Sequence, residues 1–257
     1  MDAVLAEYDP WTLVAIALIM ALGGFVKGAI GFALPTVVVS GLASVLTAQE
    51  TLGILIVPLA ASNLWQTMRQ GLRTALATLR GLWRLSLVMG VVMAAAAQVV
   101  PRLPSEVLLT FIGVVVSAAA ALQLSGWRPR VPEAPGRRHR VEIAIGAIAG
   151  VAGALAGVWG APVLFYLIAC RFPKADQVRA LGIIFLAGSF VLLGAHAESG
   201  VLNAVTGATG VLMLPPVALG MWLGFRLQDR LDQERFRRVT LVVLVLAGLN
   251  LLRRGLL

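Results

Sequence analysis

Long apolar segments follow one another along the chain, separated by short polar segments. A helix needs about 20 mainly apolar residues to cross the hydrocarbon core of a bilayer. The pattern predicts eight apolar helical segments and a shorter ninth one, which together indicate an all-α integral membrane protein. They are Trp11–Leu22, Gly28–Leu46, Thr51–Met68, Trp83–Val100, Ser105–Leu124, Glu142–Cys170, Arg179–Ala195, Val201–Phe225 and Val239–Leu252.

Composition agrees with this interpretation and excludes an ordinary soluble enzyme. The 257 residues are 59% hydrophobic and 13% charged, with a mean hydropathy of +0.91, whereas a soluble domain is about 25% charged. The net charge of +9 would suggest a nucleic-acid partner in a soluble protein. Here the basic residues lie in short loops between apolar segments, so we expect the bilayer as partner and no nucleic acid.

The loop charges predict the orientation of the chain. Four loops carry most of the 21 lysine and arginine residues, and the positive-inside rule places all four in the cytoplasm. Their basic residues are Arg69, Arg73, Arg80 and Arg84; Arg128, Arg130, Arg137, Arg138 and Arg140; Arg171, Lys174 and Arg179; and Arg226, Arg230, Arg235, Arg237 and Arg238.

This orientation makes the segment Glu142–Cys170 unusual, because both its ends are cytoplasmic and it cannot cross once. Divided in two, it gives helices of about 14 residues, or about 21 Å, which is short of a core about 30 Å thick. We therefore predict a re-entrant hairpin that turns at Gly157–Pro162. The alternative is one long tilted helix, which would move the loop of residues 226–238 to the outside.

The first apolar unit, Trp11–Leu46, has the same character. Both its ends are predicted outside, and its longer arms admit either two spans or a hairpin. Its interruptions are predicted at Gly23, Gly24, Gly28 and Gly31, followed by Pro35, with Gly23–Lys27 separating the two arms.

Two local sequence matches indicate an internal repeat. The segment 28–31 before Pro35 is similar to the segment 157–160 before Pro162, and Leu52-Gly53-Ile54 is similar to Leu181-Gly182-Ile183. We predict two inverted repeats, residues 1–125 and 142–257, joined by a cytoplasmic linker at residues 126–141. Each repeat is a broken or re-entrant helix pair followed by three transmembrane helices. This architecture is typical of secondary transporters, whose substrate site lies at the paired helix breaks.

A helix break inside a membrane offers anion-binding chemistry. The restarted half-helix presents free N–H groups and the positive end of its dipole, and proline suits its first turn because no N–H is needed there. The alternative is that the glycines only allow close helix packing.

Polar residues near the breaks complete the predicted site. Lys27 is the charged residue of the first break and would complement an anion, although its long side chain could instead extend to the membrane surface. Asn63 and Gln66 could bind substrate oxygens or bond to other helices. The predicted substrate-binding residues are Lys27, Gly28, Gly31, Pro35, Asn63, Gln66, Trp159, Gly160, Pro162 and Ser189.

No catalytic or metal site is predicted, and no cofactor. The two histidines, His139 and His196, and the single cysteine, Cys170, are too few and too scattered for a metal-binding motif. The chain also lacks a phosphate-binding loop motif and a nucleophile elbow.

Two segments carry a resemblance to a known family. GGFVKGAIGFALP in the first half and GALAGVWGAPVLFYLIA in the second resemble the sulfite exporter TauE/SafE family of membrane transporters. The chain has Gly31-Phe32-Ala33 where the family often has a run of glycines. The resemblance implies transport of a small sulfur-containing or organic anion, such as sulfite, sulfoacetate or another sulfonate, across the bacterial inner membrane.

We therefore predict a multi-pass secondary transporter, not an enzyme, that exports such an anion by alternating access, with a proton or sodium ion as the candidate coupling ion. An intramembrane enzyme or an assembly factor is an alternative, but an enzyme should bring acid, base or nucleophile residues together within the spans. An anion channel is a third option, which saturable, slow flux would exclude.

Overall fold

The computed structural model describes residues 2–126, 135–227 and 233–256, and within these ranges the regular structure is helical. Eight helical segments there are long and apolar enough to cross a membrane. The chain is therefore an all-α, multi-pass membrane protein, as the hydropathy pattern predicts.

Thirteen α-helices are described. They are α1 (Asp2–Glu7), α2 (Pro10–Ile30), α3 (Leu34–Leu42), α4 (Ala48–Gln70), α5 (Leu72–Gly81), α6 (Trp83–Ala97), α7 (Ser105–Leu124), α8 (Pro135–Ala156), α9 (Gly160–Ala169), α10 (Lys174–Ser199), α11 (Ala204–Leu212), α12 (Leu214–Leu227) and α13 (Gln233–Leu256).

The first helix break lies later than predicted. Helix α2 runs without interruption through Gly23–Lys27 and Gly28, and it ends where Gly31 adopts a left-handed conformation with φ of 85°. The prediction of a break at Gly23–Lys27 was wrong. A glycine inside a membrane does not by itself open a helix, because each backbone group freed in lipid would lose its hydrogen bond.

Helix α3 folds back along α2 to form a hairpin. Its residue Gly41 lies against Ile19, and nearer the turn Gly23 lies against Leu34 and Val38. The turn consists of residues 31–33, which include Ala33 with φ of 76°. The first unit is therefore one full-length helix followed by a half-length helix.

The second unit repeats this form. Helix α8 is 22 residues long and α9 is 10, and the hydroxyl of Tyr166 on α9 donates to Glu142 near the start of α8 at 2.7 Å. The two helices thus form a hairpin. Its first arm is longer than the predicted 14 residues because it begins at Pro135, so residues 135–141 of the predicted linker are helical. Residues 127–134 of that linker, with Arg128 and Arg130, lie outside the described residues.

Two later segments also differ from the predicted bounds. The segment Val201–Phe225 is divided at Met213 into α11 and α12, since the adjacent Pro215 and Pro216 lack the N–H groups that continue a helix. The short ninth segment becomes α13, whose 24 residues include basic residues before Val239. Arg230 lies outside the described residues.

The helices pack in pairs that correspond between the two halves. Helix α2 of the first half packs on α12 of the second half, and its counterpart α8 packs on α6, the counterpart of α12. Helix α4 packs on its counterpart α10, and α7 packs on its counterpart α13. Glycines four residues apart allow the close approach of α2 and α12, since Gly24 and Gly28 face the backbone of α12 while Gly220 and Gly224 face that of α2. Small residues of this kind are the usual means of close helix packing in membranes.

The start of α4 has a capping box whose stability effect can be measured. The Thr47 hydroxyl accepts from the Glu50 N–H at 3.2 Å, and the Glu50 carboxylate accepts from the Thr47 N–H at 2.9 Å. Removing such a cap costs about 1 kcal/mol, so we expect Thr47→Ala to lower the free energy of unfolding by about that amount. Denaturant unfolding in detergent measures the change. Thr47→Ser keeps the oxygen and should unfold like the wild type; equal losses in both variants would contradict a capping role.

Candidate functional site

A cavity lies where the turns of both hairpins meet the central helices. It offers about 50 Å³ to the centre of a water molecule, whereas one buried water needs about 10–15 Å³ on this measure. The space therefore has room for a few waters or for one small ion. Residues of α2, α3, α4, α7, α9, α10 and α13 line it.

Lys27 brings a positive charge to this cavity. It lies in the last turn of α2 with 2% of its surface exposed, so its side chain does not extend to the membrane surface. The ammonium Nζ donates to Ser62 Oγ at 2.9 Å and to Asn63 Oδ1. Both acceptors are uncharged, and among the described residues no carboxylate forms an ion pair with Lys27.

Asn63 connects this lysine to the second half of the chain. Its amide Nδ2 donates to Ser189 Oγ at 2.7 Å and lies 3.2 Å from the carbonyl oxygen of Phe185. Ser189 in turn donates to that same carbonyl at 2.6 Å. A buried hydrogen-bond network therefore runs from α2 through α4 to α10, which holds the ammonium at a fixed place beside the cavity.

The N-termini of the two half-length helices meet at the same cavity. Pro35 and Thr36 of α3 line it from one side, and Gly160 and Ala161 of α9 line it from the other. Neither helix has a side-chain hydrogen bond at its N-cap. Both starts therefore present uncapped backbone N–H groups and the positive end of a helix dipole, which favour an anion.

Trp159 forms a wall of the cavity next to the start of α9. It is 2% exposed and packs edge-on against Phe185, with 6.0 Å between the ring centroids. Its indole Nε1 has no hydrogen-bond partner in the described part of the chain and lies near Gly188. Gln123 contributes another unpartnered buried atom, its Oε1, from α7.

Five predicted site residues line the cavity, namely Lys27, Pro35, Asn63, Trp159 and Gly160. Ser189 touches the same site through its bond to Asn63.

The other four predicted site residues lie near the cavity without lining it; they are Gly28, Gly31, Gln66 and Pro162. The Gln66 side chain donates to the carbonyl oxygen of Gly31 at 2.9 Å and so supports the end of α2. Gly28 faces the backbone of Met221 on α12, which is helix packing. Pro162 lines an adjacent apolar groove.

Helices α7 and α13 supply cavity walls that were not predicted from the sequence. Val116, Ala120, Leu241 and Leu244 are apolar residues on apolar helices, so nothing in the sequence distinguishes them from core. Gln123 could have been identified from the sequence as a candidate site residue, because a glutamine inside an apolar segment needs a polar partner or a ligand.

Comparison with known sequences identifies the family of the chain. The sequence model of the family described as "Sulfite exporter TauE/SafE" matches residues 16–251, a range that begins inside α2 and contains both hairpin turns and every residue of the cavity. No curated protein and no solved structure gave a significant match. Because the family match extends over nearly the whole chain, this protein belongs to the sulfite exporter TauE/SafE family of membrane transporters.

Proposed function

We propose that this protein is a secondary transporter that exports a small organic or sulfur-containing anion, such as sulfite or a sulfonate, across the bacterial inner membrane. The anion would bind in the cavity between the two hairpin turns, next to Lys27. Movement of one half against the other would expose this site to each side in turn, coupled to a proton or a sodium ion.

The observation that carries the proposal is the environment of Lys27. A buried cation is costly unless an opposite charge compensates it, and the described residues give this ammonium only neutral acceptors. An anionic substrate would supply the missing charge. The uncapped starts of α3 and α9 add two further positive partial charges around the same space.

The corresponding helix pairs support alternating access by two inverted repeats. The hairpin α2–α3 packs on α12 of the other half, while α8–α9 packs on α6. Each hairpin is therefore held by a helix of the opposite repeat. If the repeats are inverted, exchanging their conformations would convert an outward-facing state into an inward-facing one.

Enlarging Gly160 is expected to block the site without unfolding the protein. A Cβ atom at Gly160 would lie 2.6 Å from the tip of the Phe185 ring, so the side chain of Gly160→Leu would push into the cavity. We expect anion flux in proteoliposomes to fall at least about tenfold, because a side chain that takes up space in the site needs to cost the bound anion only about 1.4 kcal/mol for a change of this size.

Gly194→Leu is the matched control, because no described atom beyond the neighbouring residues and backbone of its own helix lies within 4 Å of a Cβ at Gly194. This variant should transport like the wild type. Equal flux in the Gly160 and Gly194 variants would contradict the assignment of the site.

The substrate itself can be identified by thermal unfolding of the detergent-purified protein with sulfite, thiosulfate, sulfoacetate, taurine and simple carboxylates. A ligand that binds only the folded state stabilises it by about 2.7 kcal/mol at 100 times its Kd. The proposal expects a selective shift with an anion. A shift with none of them, together with no saturable anion flux in proteoliposomes, would overturn the anion assignment.

A further inference from the structure

A second, larger recess opens on the side of the protein between α7, α8 and α9. This groove offers about 400 Å³ to the centre of a water molecule. Its walls are almost entirely apolar, and they include Ala118 and Leu122 of α7, Ile145 and Ala152 of α8, and Pro162 of α9.

The groove faces the surroundings of the protein. Among its lining residues, Val114 is 50% exposed, Leu122 40% and Ile148 56%. In a membrane protein such apolar exposed residues contact the acyl chains of lipids. The groove is therefore open to the bilayer, and its chemistry suits hydrocarbon.

Basic residues lie at one end of the groove. Arg138 lies one helical turn before Val141 on the face of α8 that continues through Ile145, Ile148 and Ala152 along the groove. Residues at this spacing share one face of a helix. The Arg138 side chain is 44% exposed and therefore accessible to a ligand.

Tyr166 and Glu142 fix the position of this arginine. Arg138 Nε donates to the hydroxyl of Tyr166 at 3.3 Å and lies 3.4 Å from a carboxylate oxygen of Glu142. Tyr166 also lines the groove, so the guanidinium lies directly beside the groove's end. The exposed Arg137 and Arg140 add positive charge on the same turn of α8.

We propose that this groove is a binding site for one anionic phospholipid of the surrounding bilayer. An acyl chain occupies the apolar groove and the phosphate headgroup contacts Arg138. Basic pockets between transmembrane helices are a recurrent way to bind anionic headgroups. The groove and the anion cavity share Ala119 and Ala161, so the bound chain contacts the outer side of a wall of that cavity.

Native mass spectrometry of the detergent-purified full chain, titrated with phosphatidylglycerol or phosphatidylcholine of the same acyl chains, tests the proposal. We expect one tightly retained phosphatidylglycerol and weaker binding of phosphatidylcholine. Arg138→Gln should weaken the tight phosphatidylglycerol site about fivefold or more, from about 1 kcal/mol per basic residue at the membrane surface.

Two controls separate this site from general attraction of lipid to a basic surface. Arg140→Gln removes the same charge from the same helix at an exposed position outside the groove, and it should have a smaller effect than Arg138→Gln. Ala118→Phe fills the groove from its exposed side and should abolish tight retention, whereas Ala144→Phe, exposed on α8 outside the groove, should not.

Three results would overturn the proposal. These are equal binding of the two lipids by the wild type, equal loss in the Arg138 and Arg140 variants, or unchanged retention in Ala118→Phe. None of these measurements depends on transport, so they test the lipid site separately from the proposed function.

Discussion

Replacing Lys27 by methionine is expected to weaken anion binding about 100-fold to 4,000-fold and to reduce transport correspondingly. Removing one partner of a buried charge pair costs about 3–5 kcal/mol, and each 1.4 kcal/mol corresponds to a factor of ten in affinity. Methionine is similar in length to the lysine side chain and keeps an apolar stem. The cavity therefore retains its shape while it loses its cation. The comparison measures anion-dependent thermal stabilisation together with initial flux into proteoliposomes.

The folded state should survive this change. Without substrate, Lys27 is a buried cation bonded to the neutral atoms Ser62 Oγ and Asn63 Oδ1, and its replacement removes the desolvation cost of a charge that has no opposite charge beside it. Asn63 keeps its bond to Ser189. We therefore expect the ligand-free melting temperature of Lys27→Met to equal or exceed that of the wild type.

Ser62→Ala is the appropriate companion variant, because it removes one acceptor of the ammonium and leaves the charge in place. Its effect on anion affinity should be far smaller than that of Lys27→Met. If Lys27→Met bound and transported anions like the wild type, Lys27 would not be the substrate's counter-charge, and the proposed site would be wrong.

Much of this site could be predicted from the sequence because its chemistry is exceptional within an apolar chain. Lys27, Asn63 and Ser189 are polar residues in segments where lipid or other helices are the usual neighbours, and such residues normally have a polar contact or a function. Trp159 and Gly160 were found through the second glycine–proline motif. In the structure these residues converge on one cavity or its hydrogen-bond network.

The position of the first break could not be read from glycine content alone. Gly23, Gly24, Gly28 and Gly31 look alike in sequence, but only Gly31 takes a positive φ. The other three allow neighbouring helices to approach. Which role a glycine has depends on helices that are distant in the sequence, so local pattern cannot separate the two.

The start of α8 was missed for a different reason. The basic segment of residues 137–140 has a composition typical of loops. Hydropathy alone therefore places the helix start near Glu142. In the structure the helix begins at Pro135, and Arg138 and Glu142, four residues apart, are held in contact by the helix itself. The loop charges predict a side of the membrane, but they give no helix boundary.

Replacing Gly28 by leucine is expected to separate α2 from α12 and to destabilise the folded protein by about 3 kcal/mol or more, at the upper end of overpacking effects. A Cβ atom there would collide with the backbone of Met221, and from the other side Gly224 faces the backbone of Phe25 and Ala29. Backbone atoms cannot move aside as a flexible side chain can. With a total stability of about 5–15 kcal/mol, such a loss should appear as a much lower yield and an earlier unfolding transition.

This prediction also decides between the two roles considered for Gly28, packing and substrate contact. If Gly28 serves only in helix packing, Gly28→Ala should destabilise the folded protein less than Gly28→Leu does. The Gly28→Ala protein that remains folded should then bind the anion like the wild type. Gly194→Leu, with no described atom near its Cβ, should unfold like the wild type. If Gly28→Ala instead kept full stability and lost anion binding, Gly28 would belong to the site together with Lys27. The helix pair α2–α12 would then tolerate a larger residue than its backbone spacing indicates.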